Sequence, residues 1–321
     1  MDYENRLMTA SGHANVNIAL LKYWGKSDEK FKLPFQSSIS LTLDELYTDT
    51  KLTLDPLLSS DQLFLNGQRA QKDDELQLQE YFNLVRQVYK LNGFIRVESV
   101  NHVPTAAGLA SSASAYASIA MALNEIYGLN LDKQGVSTLA RLGSGSAARS
   151  VFGGFTIWHK GNTHETSFAE KIETDWDDLA LIVVLISAEK KKVSSREAMK
   201  ISVKLPSYNH FVSESKRMFP LMLEAIRQKS LSGLGELVEA SSDLLHQTIR
   251  ETGIDYYQAE TYTLLDNLKA IKKDFPIYYT IDAGPNVKLL TSPKFVEDVC
   301  KRLNNYKVIV CRIGKDAYVK N

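Results

Sequence analysis

Residues Pro104-Thr105-Ala106-Ala107-Gly108-Leu109-Ala110-Ser111-Ser112-Ala113-Ser114-Ala115 carry a small side chain at nearly every place, between a predicted strand and a predicted helix. The strand candidate is Phe94 to Val100. The helix runs from about Ser112 to Tyr127, with Ala115, Ile119, Leu123 and Ile126 at helical spacing and Gly128 as its stop. Small side chains let a bulky anion approach the backbone, where the unpaired N–H groups and positive dipole end of the helix face it. Ser111 and Ser112 add hydroxyl donors. No Gly-Lys-Ser/Thr triplet is present, so this is not a Walker loop. Taken alone, the small residues fit equally well a capped helix packed tightly on a sheet.

Further along, Gly143-Ser144-Gly145-Ser146-Ala147-Ala148-Arg149-Ser150 repeats the device: a Gly/Ser turn, then a short helix start, now with a guanidinium. Arg suits a planar carboxylate or a phosphate because its fork donates two parallel hydrogen bonds. As an isolated motif it reads as a flexible surface turn. Two anion-type loops in one chain point instead to polyanionic ligands.

Upstream, Asn15-Val16-Asn17-Ile18-Ala19-Leu20-Leu21-Lys22-Tyr23-Trp24-Gly25-Lys26 is an apolar strand ending in two ammonium groups and two aromatics. Ligands of α/β proteins gather at such strand exits, although a lone Lys-Tyr-Trp group also fits a core rim. Downstream, Ile281-Asp282-Ala283-Gly284-Pro285-Asn286-Val287-Lys288 sets an aspartate between a β-run and a turn. Asp at that place is ordinarily a backbone cap, so spacing alone gives it no chemistry. Lys190-Lys191-Lys192 ahead of Val193-Ser194-Ser195-Arg196 is a weaker basic feature, either solvated surface or a hold for a charged tail.

The rest of the chain frames these segments. Strands are expected at Ala14 to Leu21, Ile39 to Leu43, Thr48 to Leu54, Leu63 to Asn66 and Phe152 to Trp158, and helices over Asp74 to Leu91 and Asp132 to Leu142. After an eight-residue apolar run, Leu179 to Ile186, which reads as a buried strand, helical patterns dominate: Ser194 to Ser202, Tyr208 to Gln228, Ser232 to Arg250 and Tyr256 to Lys272. Strands at Ile277 to Ile281, Val287 to Leu290 and Lys307 to Cys311 follow, with a helix over Pro293 to Leu303 between the last two. The texture change places a domain boundary near residues 186–193.

Lys plus Arg and Asp plus Glu number 38 each in 321 residues, so the chain carries no net charge. That disfavours a nucleic-acid partner, which would call for a basic excess. Two cysteines are too few for a disulfide framework or a four-thiolate zinc site. The longest apolar run is far short of the ~20 residues needed to cross a bilayer, and the first residues lack a secretory layout. The expectation is a soluble cytoplasmic protein with no membrane partner.

The four motif segments occur in order between residues 14 and 288, and together they resemble the GHMP kinase superfamily, whose phosphate loop Pro104 to Ser112 matches. More narrowly, Asn17-Ile18-Ala19, Lys22 to Lys26, Gly143 to Ser150 and Asp282 to Lys288 resemble the diphosphomevalonate decarboxylase family. Kinase relatives share the phosphate loop but not the Tyr-Trp-Gly-Lys segment. The resemblance implies an α+β protein of GHMP kinase fold. A ribosomal-protein-S5-like N-terminal domain (1–186) would carry the phosphate loop, a ferredoxin-like C-terminal domain (187–321) the catalytic acid, and the cleft between them the active site. It implies ATP-dependent decarboxylation of mevalonate 5-diphosphate to isopentenyl diphosphate, with magnesium, in a homodimer.

Carried over residue by residue, the resemblance sets Asp282 beside the substrate's tertiary hydroxyl and Arg149 on its carboxylate, with Asn17 and Lys22 near the reacting centre. Substrate-binding positions are Tyr23, Trp24, Gly25, Lys26, Ser144, Gly145, Ser146, Ala147, Ala148, Arg149, Ser195 and Arg196. Ala107, Gly108, Leu109, Ala110, Ser111 and Ser112 form the nucleotide phosphate cradle, with Ser99 and Asn101 toward the nucleoside; Ser111 or Ser112 is a possible magnesium ligand. Two departures stand out: Ser241 to His246 fits a family segment ending in Met-His only loosely, which leaves His246 a structural histidine, and Ala148 stands where relatives often have Cys or Ser. Decarboxylation of the monophosphate, phosphorylation of mevalonate or phosphomevalonate without decarboxylation, and a non-catalytic ligand sensor are the competing readings.

Overall fold

Two large sheets organise the chain. The computed structural model describes residues 7–103, 111–187 and 193–320. In chain order the first half contains β1 (Met8–Leu21), β2 (Lys26–Asp28), β3 (Leu33–Pro34), β4 (Ser38–Leu54), β5 (Gln62–Leu65), β6 (Gln68–Arg69), α1 (Lys72–Tyr89), β7 (Ile95–Asn101), α2 (Ser111–Ile126), α3 (Lys133–Gly143), a 3₁₀ turn over Gly145–Val151, β8 (Phe155–Trp158) and β9 (Ala169–Lys171). It continues with β10 (Ala180–Leu185), α4 (Ser195–Ser202), α5 (Tyr208–Arg227), α6 (Leu231–Arg250), α7 (Ala259–Ile271), β11 (Tyr278–Ile281), β12 (Val287–Thr291), α8 (Val296–Arg302), β13 (Lys307–Cys311) and β14 (Tyr318–Lys320). Among the described residues no helix is long and apolar enough to cross a membrane.

The first sheet runs β14-β1-β4-β7-β5-β6, with β8 added to β4 and β9 to β8. The strands expected at Ile39 to Leu43 and Thr48 to Leu54 are one long strand, because β4 stays paired to β1 along both halves. The β1–β4 register jumps between Asn15↔Tyr47 and Asn17↔Thr42, and again between Ala19 and Leu21. Such irregularities re-aim side chains, and here they fall on the segment leading to Lys22.

The small residues of α2 pack directly on this sheet. A Cβ on Gly12 of β1 would lie 2.0 Å from the Ser118 carbonyl oxygen, so only glycine permits the approach. Ser114 and Ser118 hydroxyls meet Thr48 and Thr50 of β4 at 2.7 Å each, which satisfies four buried hydroxyls at once. Leu123, Ile126, Val136, Leu139 and Phe82 close this layer.

The second sheet has the order β11-β12-β10-β13, all antiparallel. With helices after β10 and between β12 and β13, this is the β-α-β-β-α-β ordering of a ferredoxin-like unit. The ladder partners of β10 are β12 and β13, so this strand belongs to the second sheet. Ile182, Val184, Leu264, Leu268, Val287 and Leu289 form its core with α7 and α8. A third cluster, including Leu20, Leu41, Met222, Ile226, Leu234 and Val238, lies between the first sheet and helices α5 and α6. It brings the end of β1 alongside β11.

Candidate active site

β1 ends where the two sheets meet. Lys22, the first residue beyond it, is 1% exposed, and its backbone N–H donates to Ser241 Oγ of α6 at 3.0 Å. Its ammonium donates to the Ala19 carbonyl at 3.0 Å and to Asp282 Oδ1 at 2.7 Å. Asp282 follows β11 directly, and that strand is pinned by Ser242 of α6, whose Oγ accepts from Ile281 N at 3.0 Å. The second carboxylate oxygen, Oδ2, lies 3.1 Å from the Lys288 ammonium on β12. Asp282 is therefore held between two buried lysines rather than capping the turn behind it.

The consequences are electrostatic. Burial alone would raise the Asp282 pKa, but the Lys22 and Lys288 ammonium groups outweigh it and hold the carboxyl well below the usual carboxylate range. Lys22 is lowered to about 8, by burial first, with Asp282 opposing the shift. Taking several charges out of water costs several kcal/mol per ion unless partners compensate. One carboxylate faces three cations here, because Arg149 also acts on Asp282. The unbalanced positive charge favours anionic ligands.

Arg149 sits on the 3₁₀ turn after α3 and is 2% exposed. Its Nε donates to Asn17 Oδ1 at 3.1 Å and its Nη1 to Ser38 Oγ at 2.7 Å. The Asn17 amide in turn donates to Ser150 Oγ at 2.7 Å and to the Ser146 carbonyl at 3.0 Å. The guanidinium is thus oriented from β1, β4 and its own turn, and burial lowers its pKa to about 10. It remains charged at neutral pH. Trp158 lies beneath, its ring 5.8 Å from the Arg149 guanidinium carbon and edge-on to Tyr23 at 4.7 Å.

Asn17, Lys22, Tyr23, Trp24, Lys26, Ser112, Ser144, Gly145, Ser146, Arg149, Ser195, Arg196 and Asp282 line one cleft of about 380 Å³, within the usual range for small-molecule sites. Among its described lining residues Asp282 is the only carboxylate, against Lys22, Lys26, Lys32, Arg149 and Arg196. Lys32, Lys26 and Arg196 form a second basic group. Burial, then the like charges of Lys26 and Arg196, lower Lys32 to about 8. Arg196, in the first turn of α4, also reaches across to Gln77 of α1 at 3.2 Å.

Other expected site residues face elsewhere. A 3₁₀ turn has three residues per turn, so Ser146 and Arg149 share the cleft face while Ala147 and Ala148 point into the first core, fully buried. Gly25 has φ +82, and a Cβ there would lie 2.2 Å from Tyr208 Oη, so its part is conformational. Ser99 is turned into the sheet, 2.9 Å from Thr50 Oγ1, and Asn101 accepts from Thr48 Oγ1 at 3.1 Å; neither lines the cleft. Ala107, Gly108, Leu109 and Ala110 lie outside the described residues, as do Lys190, Lys191 and Lys192. Ser111 opens α2, whose first turn carries no acidic residue to oppose a phosphate.

Trp24 lines the cleft only in part. Its indole N–H donates to Ser202 Oγ at 3.0 Å and its carbonyl accepts from Tyr208 Oη at 2.6 Å, which ties the loop to α4 and α5. This gives the Tyr208 helix a purpose that its sequence did not disclose. His246 is 1% exposed; its Nε2 donates to the Ile281 carbonyl at 3.2 Å while Nδ1 has no partner among the described residues. Burial, then the Lys22 charge, lowers its pKa to about 3, so the ring is neutral and acts as a prop beneath Asp282.

Sequence reasoning gave no role to Lys288, Ser38, Ser150 or Lys32, although Ser150 and Lys288 each close one of the quoted motifs. For Lys288 there was a signal: a lysine inside the apolar run Val287-Lys288-Leu289-Leu290. Ser38 and Lys32 gave none, and Ser150 none beyond its place in the motif, since their roles depend on contacts with Arg149, Asn17 and the cation group.

Residues 14–169 match the family described as diphosphomevalonate decarboxylase-like N-terminal domain, and residues 180–318 match the mevalonate 5-diphosphate decarboxylase C-terminal domain. The chain is 35% identical to the Homo sapiens diphosphomevalonate decarboxylase over 319 residues, which is 91% of this chain and 78% of that protein. The crystal structure of mevalonate diphosphate decarboxylase from Staphylococcus aureus shares 36% identity and a TM-score of 0.94, covering 98% of this chain and 99% of that one. A structure of MDDEF in complex with MVAPP, AMPPCP and magnesium shares 39% identity and a TM-score of 0.94, covering 98% and 100%. The α+β architecture is accordingly that of the GHMP kinase fold.

Proposed function

The chain belongs to the diphosphomevalonate decarboxylase family, and on that premise we propose that it converts mevalonate 5-diphosphate and ATP to isopentenyl diphosphate, carbon dioxide, ADP and phosphate. The observation that carries this reading is the pairing of one carboxylate, Asp282, with Lys22 at 2.7 Å in a cleft whose other charged lining residues, among those described, are all cations. The substrate's tertiary hydroxyl, carboxylate and diphosphate need, respectively, an anion, a planar donor and a basic pocket. Asp282, Arg149 and the Lys26–Lys32–Arg196 group supply them.

In this mechanism Asp282 orients the hydroxyl and takes its proton as the oxygen bonds to the γ-phosphorus and ADP departs. Phosphoryl transfer is loose, so the protein contributes mainly position and charge. A carboxylate this poorly basic accepts the proton late, once the new O–P bond has made the hydroxyl acidic. The phosphate then leaves with the C–O electron pair. Asp282, having passed its proton to a phosphate oxygen as that phosphate departs, faces the growing positive charge on the tertiary carbon. Arg149 keeps the carboxylate aligned while the C–C pair becomes the new double bond and carbon dioxide is released. Preorganised donors of this kind are worth roughly 3–4 kcal/mol each.

The residues present fit the nucleotide and its metal. Among the described residues no cluster of His, Cys, Asp or Glu can cage a metal ion, which suits magnesium carried on nucleotide phosphates with its waters. When bound, magnesium neutralises the phosphate charge that develops during transfer. Ser112, at the start of α2 and 3.5 Å from Ser144 Oγ, stands where a phosphate oxygen would meet the helix N-terminus. Because β10 pairs within the second sheet, we place the division of the chain ahead of Ala180. A cytoplasmic location belongs to this reading on the composition, and a homodimeric state on the family likeness; light scattering on the purified chain tests the latter.

The deciding experiment compares mevalonate, its 5-phosphate and its 5-diphosphate, following carbon dioxide and ADP together. Equal amounts of both products, from the diphosphate alone, are expected. ADP without carbon dioxide would make the protein a kinase, and neither product from any of the three would remove the reading.

A further inference from the structure

β12 is an inner strand of the second sheet, and all five of its residues are buried. Lys288 stands in register with Val183 on one side and Thr280 on the other, with its side chain 2% exposed. A β-branched apolar residue is what such a position ordinarily holds, and a buried ammonium there is costly unless its partners compensate. Among the described residues its partners are the Asn286 carbonyl at 3.3 Å and Asp282 Oδ2 at 3.1 Å. Unlike Lys22, Lys288 does not line the cleft.

Each carboxylate oxygen of Asp282 therefore has its own ammonium, one from the cleft side and one from behind. A ligand entering the cleft competes for Lys22 but cannot reach Lys288. We infer that Lys288 is a positioning residue for Asp282, holding Oδ2 from behind the cleft so that Oδ1 keeps its place before the substrate hydroxyl when Lys22 turns to an incoming phosphate. The inference rests on the decarboxylase reading for its substrate, though not for its geometry.

The charged or titratable groups acting on Asp282 are Lys22 at the end of β1, Lys288 on β12, Arg149 on the 3₁₀ turn and His246 on α6. His246 is neutral, and the other two are shared with the ligand. Among the described residues, Lys288 is thus the one cation whose effect on Asp282 is the same with the cleft empty or filled. It supports both the ionisation and the plane of the carboxylate.

The test uses Lys288→Met, which keeps length and apolar bulk, and Lys288→Arg, which keeps charge. For Lys288→Met we expect kcat to fall about tenfold or more, the scale of one lost charge-assisted contact, with KM within about twofold because nothing in the cleft changes. The acid limb of kcat should move up by about one pH unit, as it does when a carboxylate loses an adjacent cation. Lys288→Arg should restore most of both. A ¹³C titration of the Asp282 carboxyl in the unliganded protein should show the same upward movement.

An unmoved carboxyl titration in Lys288→Met, or a kcat loss equal in the Arg and Met variants with an unmoved acid limb, would overturn the inference in favour of a purely structural lysine. Should Lys288→Met fail to fold, Lys288→Gln is read by the same two measurements. Failure of the decarboxylase reading would appear elsewhere, as wild-type protein releasing no carbon dioxide, and would leave the carboxyl titration standing.

Discussion

The Lys22 ammonium and the Asp282 carboxylate, 260 positions apart in the chain, meet at 2.7 Å where the first sheet abuts the second. Lys22 belongs to the end of β1 and Asp282 to the end of β11, and α6 holds both strand ends through Ser241 and Ser242. The pair makes the contact between sheets part of the chemistry, because any slip between them separates the acid from its counter-ion.

Asp282→Asn keeps the side-chain volume but removes the negative charge and the proton acceptor. Turnover should drop by at least about 10²-fold, the lower end for a general base, while both substrates still bind. Carbon dioxide release at saturation, with binding followed by calorimetry, checks this. Near-full turnover would remove Asp282 from its assigned role.

For Arg149 the expected losses in kcat are about 10²-fold on Arg149→Ala and a smaller loss on Arg149→Lys, the range seen when one oriented donor is removed. The Lys variant keeps a charge but loses the fork that engages Asn17 and Ser38. Because Arg149 aligns the carboxylate, carbon dioxide should fall relative to ADP. A variant with unchanged turnover at saturating substrate would count against this alignment.

Alkaline pH should weaken capture of substrate by the free enzyme. Lys22 and Lys32, each lowered to about 8, both lose their charge as pH rises through that value. The alkaline limb of kcat/KM should therefore lie near pH 8, steeper than a single deprotonation, and kcat should be less affected because bound phosphates hold the lysines protonated. Lys32→Met should reduce the slope to that of one proton. A limb unmoved and still steep in that variant would exclude Lys32.

Acid stability carries the opposite sign. The Asp282 pKa in the folded protein lies below its unfolded value, near 3.9, so its stabilisation is complete above that pH and is lost progressively as pH falls beneath it. Thermal midpoints measured from pH 5 down to pH 2 should decline more steeply for wild type than for Asp282→Asn.

Gly145→Ala tests the substrate turn by crowding. The added Cβ would fall 2.8 Å from Trp158 Cη2 and 2.9 Å from Tyr23 Oη, contacts that require both rings to shift. A stability loss of about 1–3 kcal/mol is expected from overpacking, together with a raised KM as Tyr23 moves toward the cleft. Chemical denaturation and steady-state kinetics read the two effects separately, and a variant unchanged in both would show that the turn yields freely.

The local elements were legible in the chain because each rests on neighbours in sequence. Periodicity at Ala115, Ile119 and Leu123 anticipated α2 to within a residue or so at either end, and Gly128 its end. The apolar run at Leu179 to Ile186 was recognisable as a strand, although not which sheet it would join. Motif likeness singled out Asp282, Arg149, Asn17 and Lys22, and all four line the cleft.

What the linear order left open was decided by contacts between distant segments. Ala147 and Ala148 were inseparable from Arg149 in sequence until a 3₁₀ turn sent them to opposite sides. The joining of two predicted strands into β4 followed from continuous pairing with β1, which no local pattern encodes. The second lysine on Asp282 came from an inner strand where burial, rather than any motif, sets its effect. Side-chain type and short-range spacing are properties of the chain itself; burial, facing direction and the sum of nearby charges exist only once the two sheets are packed, and those determine how acidic Asp282 is and which residues a ligand can touch.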